Sequence, residues 1–371
     1  MRIGVPREVK DGERRVGATP DGVRQLVADG HAVVVGAGAG DAVGFADAYY
    51  AAAGATIAAR ADDVWACDLI VKVKEVQPAE YPRLVPGTTV FGFAQINRDP
   101  ALLAAVLAAR IRAIAYETVR DEAGGLPLLA PMSRIAGRLA PLVGGAALAT
   151  DAGGAGILLT GVDDVPGAQV VVVGAGNVGG EAARIAARLG ARVAVFSRGA
   201  RRRDALCASL AAQGHAIAAH ALAGIGDPRF ADAVAQADLV IGGVLEPGTL
   251  SPKLIPRALV AAMRPGSAIV DVGIDQGGIA ETSRMTKLSA PTYVECGVVH
   301  YAVPNMPALV ARTATLALTQ ATLPYVRALA GRGVDRALND DARLAAGLMV
   351  RDGAIVHAGL AKDAQSHPRA A

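Results

Sequence analysis

The chain has few aromatic residues: Phe, Trp and Tyr make up 4% of its 371 residues, with a single Trp. Its core must therefore be built from Ala, Val, Leu and Ile. Cysteine is equally scarce, with Cys67, Cys207 and Cys296 isolated, odd in number and forming no C-x-x-C pair. That pattern argues against a disulfide or zinc framework, and the three are expected to be buried thiols of a cytoplasmic protein. No H-E-x-x-H run or His/Cys cluster appears, so no metal is expected. An excess of one charge is missing too, since 37 Lys plus Arg face 34 Asp plus Glu for a net +3. Neither nucleic acid nor a membrane surface is expected as a partner. The longest apolar run, around residues 101–109, is about half what a membrane helix needs. The start, MRIGVPREVKDGERR, lacks the apolar segment of a signal peptide. Apolar residues are abundant at 52%, which rules out disorder, and glycine is abundant too, with 44. The glycines fall between apolar runs, where turns and phosphate loops need them.

Short Val/Ile-rich runs at 31–35, 69–73, 89–93, 112–115, 170–173, 192–196, 239–241 and 268–272 alternate with Ala-rich stretches of helical period. Unbroken apolar strands between helices imply a parallel sheet covered on both faces, so the fold class is α/β, doubly wound. No period of 20–50 residues recurs, which excludes a repeat array. Residues 126–131 form a Pro-bounded extended stretch, followed by a helix over about 132–150 and a turn-rich segment at 153–167. Beyond 304–307 the pattern is helical to about residue 330, and composition leaves open which half this tail packs on.

Four valines at 170–173 run into Gly174-Ala175-Gly176-Asn177-Val178-Gly179, then into an Ala-rich helix and a second strand at 192–196. Strand, G-x-G-x-x-G, helix and strand in that order is the fingerprint of a dinucleotide-binding Rossmann unit. Gly174 permits the tight turn, Gly176 lets the backbone approach a pyrophosphate, and Gly179 lets helix and strand pack. Asn177 and Val178 complete the loop, and the helix N-terminus offers unpaired N–H groups. An acidic residue usually ends the second strand and accepts the ribose hydroxyls of NAD. Here stand Ser197 and Arg198, followed by Arg201-Arg202-Arg203. A carboxylate repels a 2′-phosphate, whereas Ser and Arg donate to it, so NADP(H) is the expected cofactor and NAD(H) the alternative. Arg198 and Arg203 are the candidate ligands, with the rest of the run a solvated helix start. A second glycine cluster, residues 36–40, reads as a structural turn: Asp41 occupies its sixth position and no ribose reader follows.

The sequence resembles the alanine dehydrogenase family, which is related to the NAD-binding part of proton-translocating transhydrogenase. The likeness runs from Met1-Arg-Ile-Gly-Val-Pro-Arg-Glu8 to about Tyr325. It includes Glu13-Arg-Arg15, Thr19-Pro20, Val71-Lys-Val-Lys-Glu75, Ala115-Tyr-Glu-Thr118, Leu126-Pro-Leu-Leu-Ala-Pro-Met-Ser133, the Gly174 loop, Ile274-Asp-Gln-Gly-Gly278 and Asn305-Met-Pro307. The resemblance implies two Rossmann-like doubly wound domains with the active site in the cleft between them. The substrate domain would be discontinuous, residues 1–130 plus 308–371, around a dinucleotide domain of residues 131–307. It also implies a homo-oligomer, a hexamer or a dimer.

By the same resemblance, Arg15 clamps a substrate carboxylate bidentately, with Arg14 the solvated neighbour. Lys74 hydrogen-bonds the substrate carboxylate or carbonyl. Alternation along a strand would put Lys72 on the same side as Lys74, with no role implied for it. Asp275, just after the strand at 268–272, matches the family's catalytic aspartate beside the nicotinamide; the alternative gives that part to Asp271. Ser133, Val244, Leu245, Asn305 and Met306 match positions around the cofactor, though Leu245 and Met306 suit a core equally well.

Two positions depart from the family: Ser197 replaces the ribose-binding aspartate, and the second lies in the catalytic set. Where the strand ending near Phe93 leads to an acid/base histidine, this chain has Gln95. A carboxamide can donate a hydrogen bond to a carbonyl but cannot exchange a proton near neutral pH. General acid/base catalysis contributes roughly a hundred- to ten-thousandfold, so Lys74, Asp275 or an ordered water would have to carry the proton. His300 is the other imidazole weighed, and a structural role suits it better. The expected activity is NAD(P)H-dependent reductive amination of a small 2-oxo acid with ammonia, or the reverse deamination of an L-amino acid such as alanine. Two rivals stand beside it. One is NADPH-dependent coupling of a 2-oxo acid to an amino acid's amine, as in N5-(carboxyethyl)ornithine synthase. The other is an inactive dinucleotide-binding regulator, which would have no need of Arg15, Lys74 and Asp275.

Overall fold

A computed structural model describes residues 1–244 and 250–366. It divides into two compact units: Met1–Met132 with Ala308–Ala371, and Ser133–Pro307. No helix among the described residues is long and apolar enough to cross a membrane.

The first unit begins with six strands: β1 (Arg2–Val5), β2 (Ala32–Gly36), β3 (Thr56–Ala58), β4 (Leu69–Val71), β5 (Thr89–Gly92) and β6 (Arg112–Ala115). All six pair in parallel, and β4 and β5 are buried along their whole length, which explains their unbroken apolar sequences. The second unit holds β7 (Gln169–Val173), β8 (Arg192–Ser197), β9 (Ala218–Ala221), β10 (Leu239–Gly242), β11 (Ala268–Asp271), β12 (Thr292–Glu295) and β13 (Val298–Tyr301). Its order is β12-β13-β11-β10-β7-β8-β9, with β12 alone antiparallel. The helices Ala130–Ala147 and Asn177–Arg188 contribute Ala136, Ala140, Ala182, Ala183 and Ala186 to a core with Val170, Val172 and Ile241. Small side chains on those helices fill the core that the shortage of aromatics anticipated.

The chain then returns to the first unit. After the helix Ala311–Arg332 come β14 (Leu348–Arg351) and β15 (Ala354–Ile355), an antiparallel pair that docks on β6. The sheet of this unit is therefore β15-β14-β6-β5-β4-β1-β2-β3. The helical pattern read to about residue 330 coincides with the helix Ala311–Arg332; the hairpin beyond it was not anticipated, because its apolar stretch is only Leu348–Val350 and gives no period to measure. A correction concerns the thiols: Cys67 is buried, but Cys207 is half-exposed and Cys296 exposed. Isolation in sequence signalled the absence of a disulfide, not burial.

Candidate functional site

In the first unit, the ends of β4 and β5 carry the residues of interest. Strand β4 stops at Val71, so side-chain alternation does not extend to Lys74, and the shared side expected for Lys72 and Lys74 has no basis. Lys72 Nζ lies 3.2 Å from Glu8 Oε2 and 2.9 Å from Glu80 Oε1, all three side chains being buried. The two carboxylates outweigh burial and raise the ammonium's pKa. Lys72 is thus a structural cation. Glu8 also accepts the Val73 and Lys74 N–H groups through Oε1, at 2.7 and 3.4 Å, which fixes the backbone that presents Lys74.

Lys74 is buried, and its Nζ comes no nearer a carboxylate than 3.9 Å from Glu75 Oε2. Glu75 itself pairs with Lys10. Burial pushes the Lys74 ammonium below the ordinary lysine value; Glu75 opposes that shift, and Arg15 and Lys10 reinforce it. Arg15 is buried with Glu13: Nε donates to Oε1 at 2.7 Å and Nη2 to Oε2 at 2.6 Å. Its Nη1 lies 3.1 Å from Met132 Sδ. That geometry alters the clamp expected for Arg15. The Nε–Nη2 edge already holds a carboxylate, so a substrate carboxylate would have to meet the guanidinium at its Nη1 end.

Gln95 has φ of 44°, a left-handed conformation that few residues other than glycine adopt. Glu117, two residues past β6, holds this turn by accepting the Gln95 N–H at 2.7 Å and the Ala94 N–H at 3.1 Å. Burial pushes the Glu117 carboxyl up, and those N–H donors and Lys74 pull it down. With its oxygens engaged by backbone, Glu117 is poorly placed to relay protons, whereas the half-buried Gln95 carboxamide makes no hydrogen bond among the described residues. Sequence reasoning gave Glu8, Glu13 and Glu117 no role, although each stands in one of the blocks that carry the family resemblance.

In the second unit, the Gly174 loop follows β7. Gly174 has φ of 101°, and a Cβ there would meet the Gly243 carbonyl oxygen at 2.8 Å. A Cβ on Gly179 would lie 2.0 Å from the Gly174 carbonyl oxygen, closer than any side chain can approach. A Cβ on Gly176, by contrast, would find only Arg202 Nη1, at 3.8 Å, leaving the backbone open. The helix Asn177–Arg188 starts on Gly176 with no side-chain cap, so its first N–H groups point into this opening. Asn177 is exposed and Val178 half-buried, and the loop as a whole fits a dinucleotide pyrophosphate. The Gly36 turn differs: Gly38 donates its N–H to Asp47 Oδ1 at 2.9 Å, with the Asp41 carboxylate beside it. Two carboxylates there would repel a phosphate.

Strand β8 ends at Ser197, which is buried, and Arg198 follows. Arg203 pairs with Asp204 at 3.0 Å, while Arg201 and Arg202 are exposed. Asp271, at the end of β11, is buried and accepts the Ile279 and Ala280 N–H groups at 2.8 and 3.2 Å, and burial pushes its carboxyl up. It closes the turn bearing Asp275, which is half-buried in a single 3₁₀ turn, Ile274–Gln276. Asp275 is the more exposed of the two carboxylates. His300 Nδ1 faces the Val298 carbonyl at 2.9 Å and Nε2 the Thr282 hydroxyl at 2.7 Å, and burial lowers its pKa. It is buried in β13 and structural. Ser133 opens the unit half-buried, Val244 and Asn305 are half-buried, and Met306 is buried in the core. Leu245 lies outside the described residues.

Comparison with known proteins agrees with this geometry. The family model "Alanine dehydrogenase/PNT, N-terminal domain" matches residues 4–136, and "Alanine dehydrogenase/PNT, C-terminal domain" matches residues 140–358. The alanine dehydrogenase of Halomonas elongata is 47% identical over 98% of this chain and 96% of its own. That of Bacillus subtilis is 45% identical over 98% and 94%. A solved structure titled L-alanine dehydrogenase superposes with a TM-score of 0.94 at 43% identity, covering 99% of each chain. The chain belongs to the alanine dehydrogenase/PNT family, and it is an oxidoreductase of that family.

Proposed function

We propose that this enzyme interconverts a small 2-oxo acid, pyruvate being the simplest, and its L-amino acid, using ammonia and NADP(H), with Lys74 as the proton donor and acceptor. In the reductive direction one oxo acid, one ammonium ion, one proton and one reduced dinucleotide give the amino acid, water and the oxidised dinucleotide. When bound, the dinucleotide supplies or accepts the hydride.

The observation that carries this reading is the Lys74 ammonium, buried and without a hydrogen bond among the described residues, at the end of β4. Three unused donors in a low-dielectric site are costly unless a ligand satisfies them. A substrate carbonyl oxygen beside Nζ would receive a hydrogen bond and then the proton. The depressed pKa eases that transfer and its reversal. Gln95 would donate its N–H to the same oxygen without exchanging a proton, and Arg15 would attract the carboxylate. Beside Lys74 lies an apolar cavity of about 20 Å³ lined by Val76, Phe93, Ala94, Ile96 and Leu102, room for a methyl-sized group. The relatives named alanine dehydrogenase support the same substrate size. The absence of a carboxylate at the end of β8 supports NADP(H).

Initial-rate assays with NADPH and NADH, pyruvate and ammonia test the proposal. Ammonia-dependent turnover with kcat/KM at least tenfold higher for NADPH is expected. Turnover that requires an amino acid in place of ammonia, or none with any pair, overturns it.

A further inference from the structure

We infer that Arg202 reads the 2′-phosphate of the dinucleotide and is the specificity-determining residue of the cofactor site; this rests on the NADP(H) reading above. Arg201, Arg202 and Arg203 occupy the first turn of the helix Ala200–Ala211. That turn holds no acidic residue, and its N-cap, Gly199, offers no side chain to the free N–H groups. Cations there oppose the helix dipole, so local energetics alone do not account for three in a row. The three are not equivalent. Arg203 is committed to Asp204 at 3.0 Å. Arg201 and Arg202 make no hydrogen bond or ion pair among the described residues. Of these two, Arg202 places Nη1 3.8 Å from where a Cβ on Gly176 would stand, and no other atom comes within 4 Å of that point.

A guanidinium beside the bare backbone of a phosphate loop, with no carboxylate to neutralise it, forms an anion subsite. The pyrophosphate needs no side chain, because the N–H groups opening the helix Asn177–Arg188 already face it. The adenosine ribose of such a ligand lies between the loop after β7 and the end of β8. That region is spanned by Gly176, Ser197 and the turn carrying Arg202. The 2′-phosphate is thus the anion that Arg202 meets, with the buried Ser197 in place of the carboxylate that would repel it.

Calorimetric titration of the full-length enzyme with 2′,5′-ADP and 5′-AMP tests this without turnover. The wild type is expected to bind 2′,5′-ADP at least tenfold tighter than 5′-AMP. Arg202→Gln should bring the two within about twofold by weakening 2′,5′-ADP alone, Arg202→Lys should retain part of the difference, and Arg201→Gln should leave both unchanged. Circular dichroism checks that each variant is folded. A wild type that discriminates while Arg202→Gln still does so, or weakens both ligands alike, overturns the role of Arg202 alone. A wild type that binds both ligands equally overturns the NADP(H) reading and this inference with it.

Discussion

At the scale of single residues, the proposed chemistry turns on how Lys74 and Gln95 would divide proton transfer and hydrogen bonding to the carbonyl. Burial holds the Lys74 pKa below the usual lysine value of 10.5, so the titration expected to govern activity lies below that value. Reductive amination needs the ammonium, and its kcat/KM should fall as pH rises through this pKa; deamination needs the amine and should rise there. Lys74→Arg, which cannot titrate in this range, should lower both rates at least a hundredfold and flatten the profile. Gln95→His should add a second ionisation near the ordinary imidazole value of about 6.5 and raise the ammonia-dependent rate. A profile unchanged in Lys74→Arg would show that the proton travels elsewhere. Stability should move the other way. The folded state binds fewer protons here than the unfolded chain between the lowered pKa and 10.5, so the buried charge costs stability at neutral pH. Lys74→Met should therefore melt no lower than the wild type at pH 7 while losing activity. That Gln95 stands where the family resemblance implies a histidine was legible in sequence. That Glu8 and Glu117 hold the backbone on either side was not, because a carboxylate bonded to main-chain N–H groups leaves no spacing to read.

At the scale of elements, the phosphate loop was the most legible feature, since each of its glycines answers a local steric demand. Gly179→Ala would force a methyl against the Gly174 carbonyl, a contact of 2.0 Å before relaxation. We expect loss of at least a hundredfold in 2′,5′-ADP affinity and a fall of about 1–3 kcal/mol in unfolding free energy, from calorimetry and urea titration. Wild-type affinity in this variant would contradict the close packing of β7 on its helix. Strand ends were less legible. The run at 69–73 reads as strand throughout, yet β4 ends at Val71, although the Lys72 N–H still donates to the Phe91 carbonyl and the Phe93 N–H to the Val73 carbonyl. What the run could not show is that Lys72 is buried between Glu80, eight residues on, and Glu8, 64 residues away.

At the scale of the whole molecule, the chain leaves the first unit at Met132 and rejoins it at Ala308. The alternation of apolar runs revealed two sheets but not the closing hairpin, whose strands are four and two residues long. That hairpin matters: Met349 and Val350 are buried, worth about 1.5–3 kcal/mol each, and the Ala115 N–H donates to the Gly347 carbonyl at 2.7 Å. A chain ending at Asp341 should lose amide protection along β5 and β6 and lose turnover. It should keep protection along β7, β8 and β10 and still bind 2′,5′-ADP. Hydrogen exchange with mass spectrometry distinguishes these outcomes, and uniform loss in both sheets would mean that the units melt as one. The late hairpin also sets an order of events during synthesis. Residues 133–307 are contiguous and can fold as soon as they clear the ribosome, whereas β6 must wait for β14 with its edge unpaired. The nascent chain is therefore born with a finished second unit and an open first unit, and the interval between them is when chaperone capture or edge-to-edge aggregation has its opportunity.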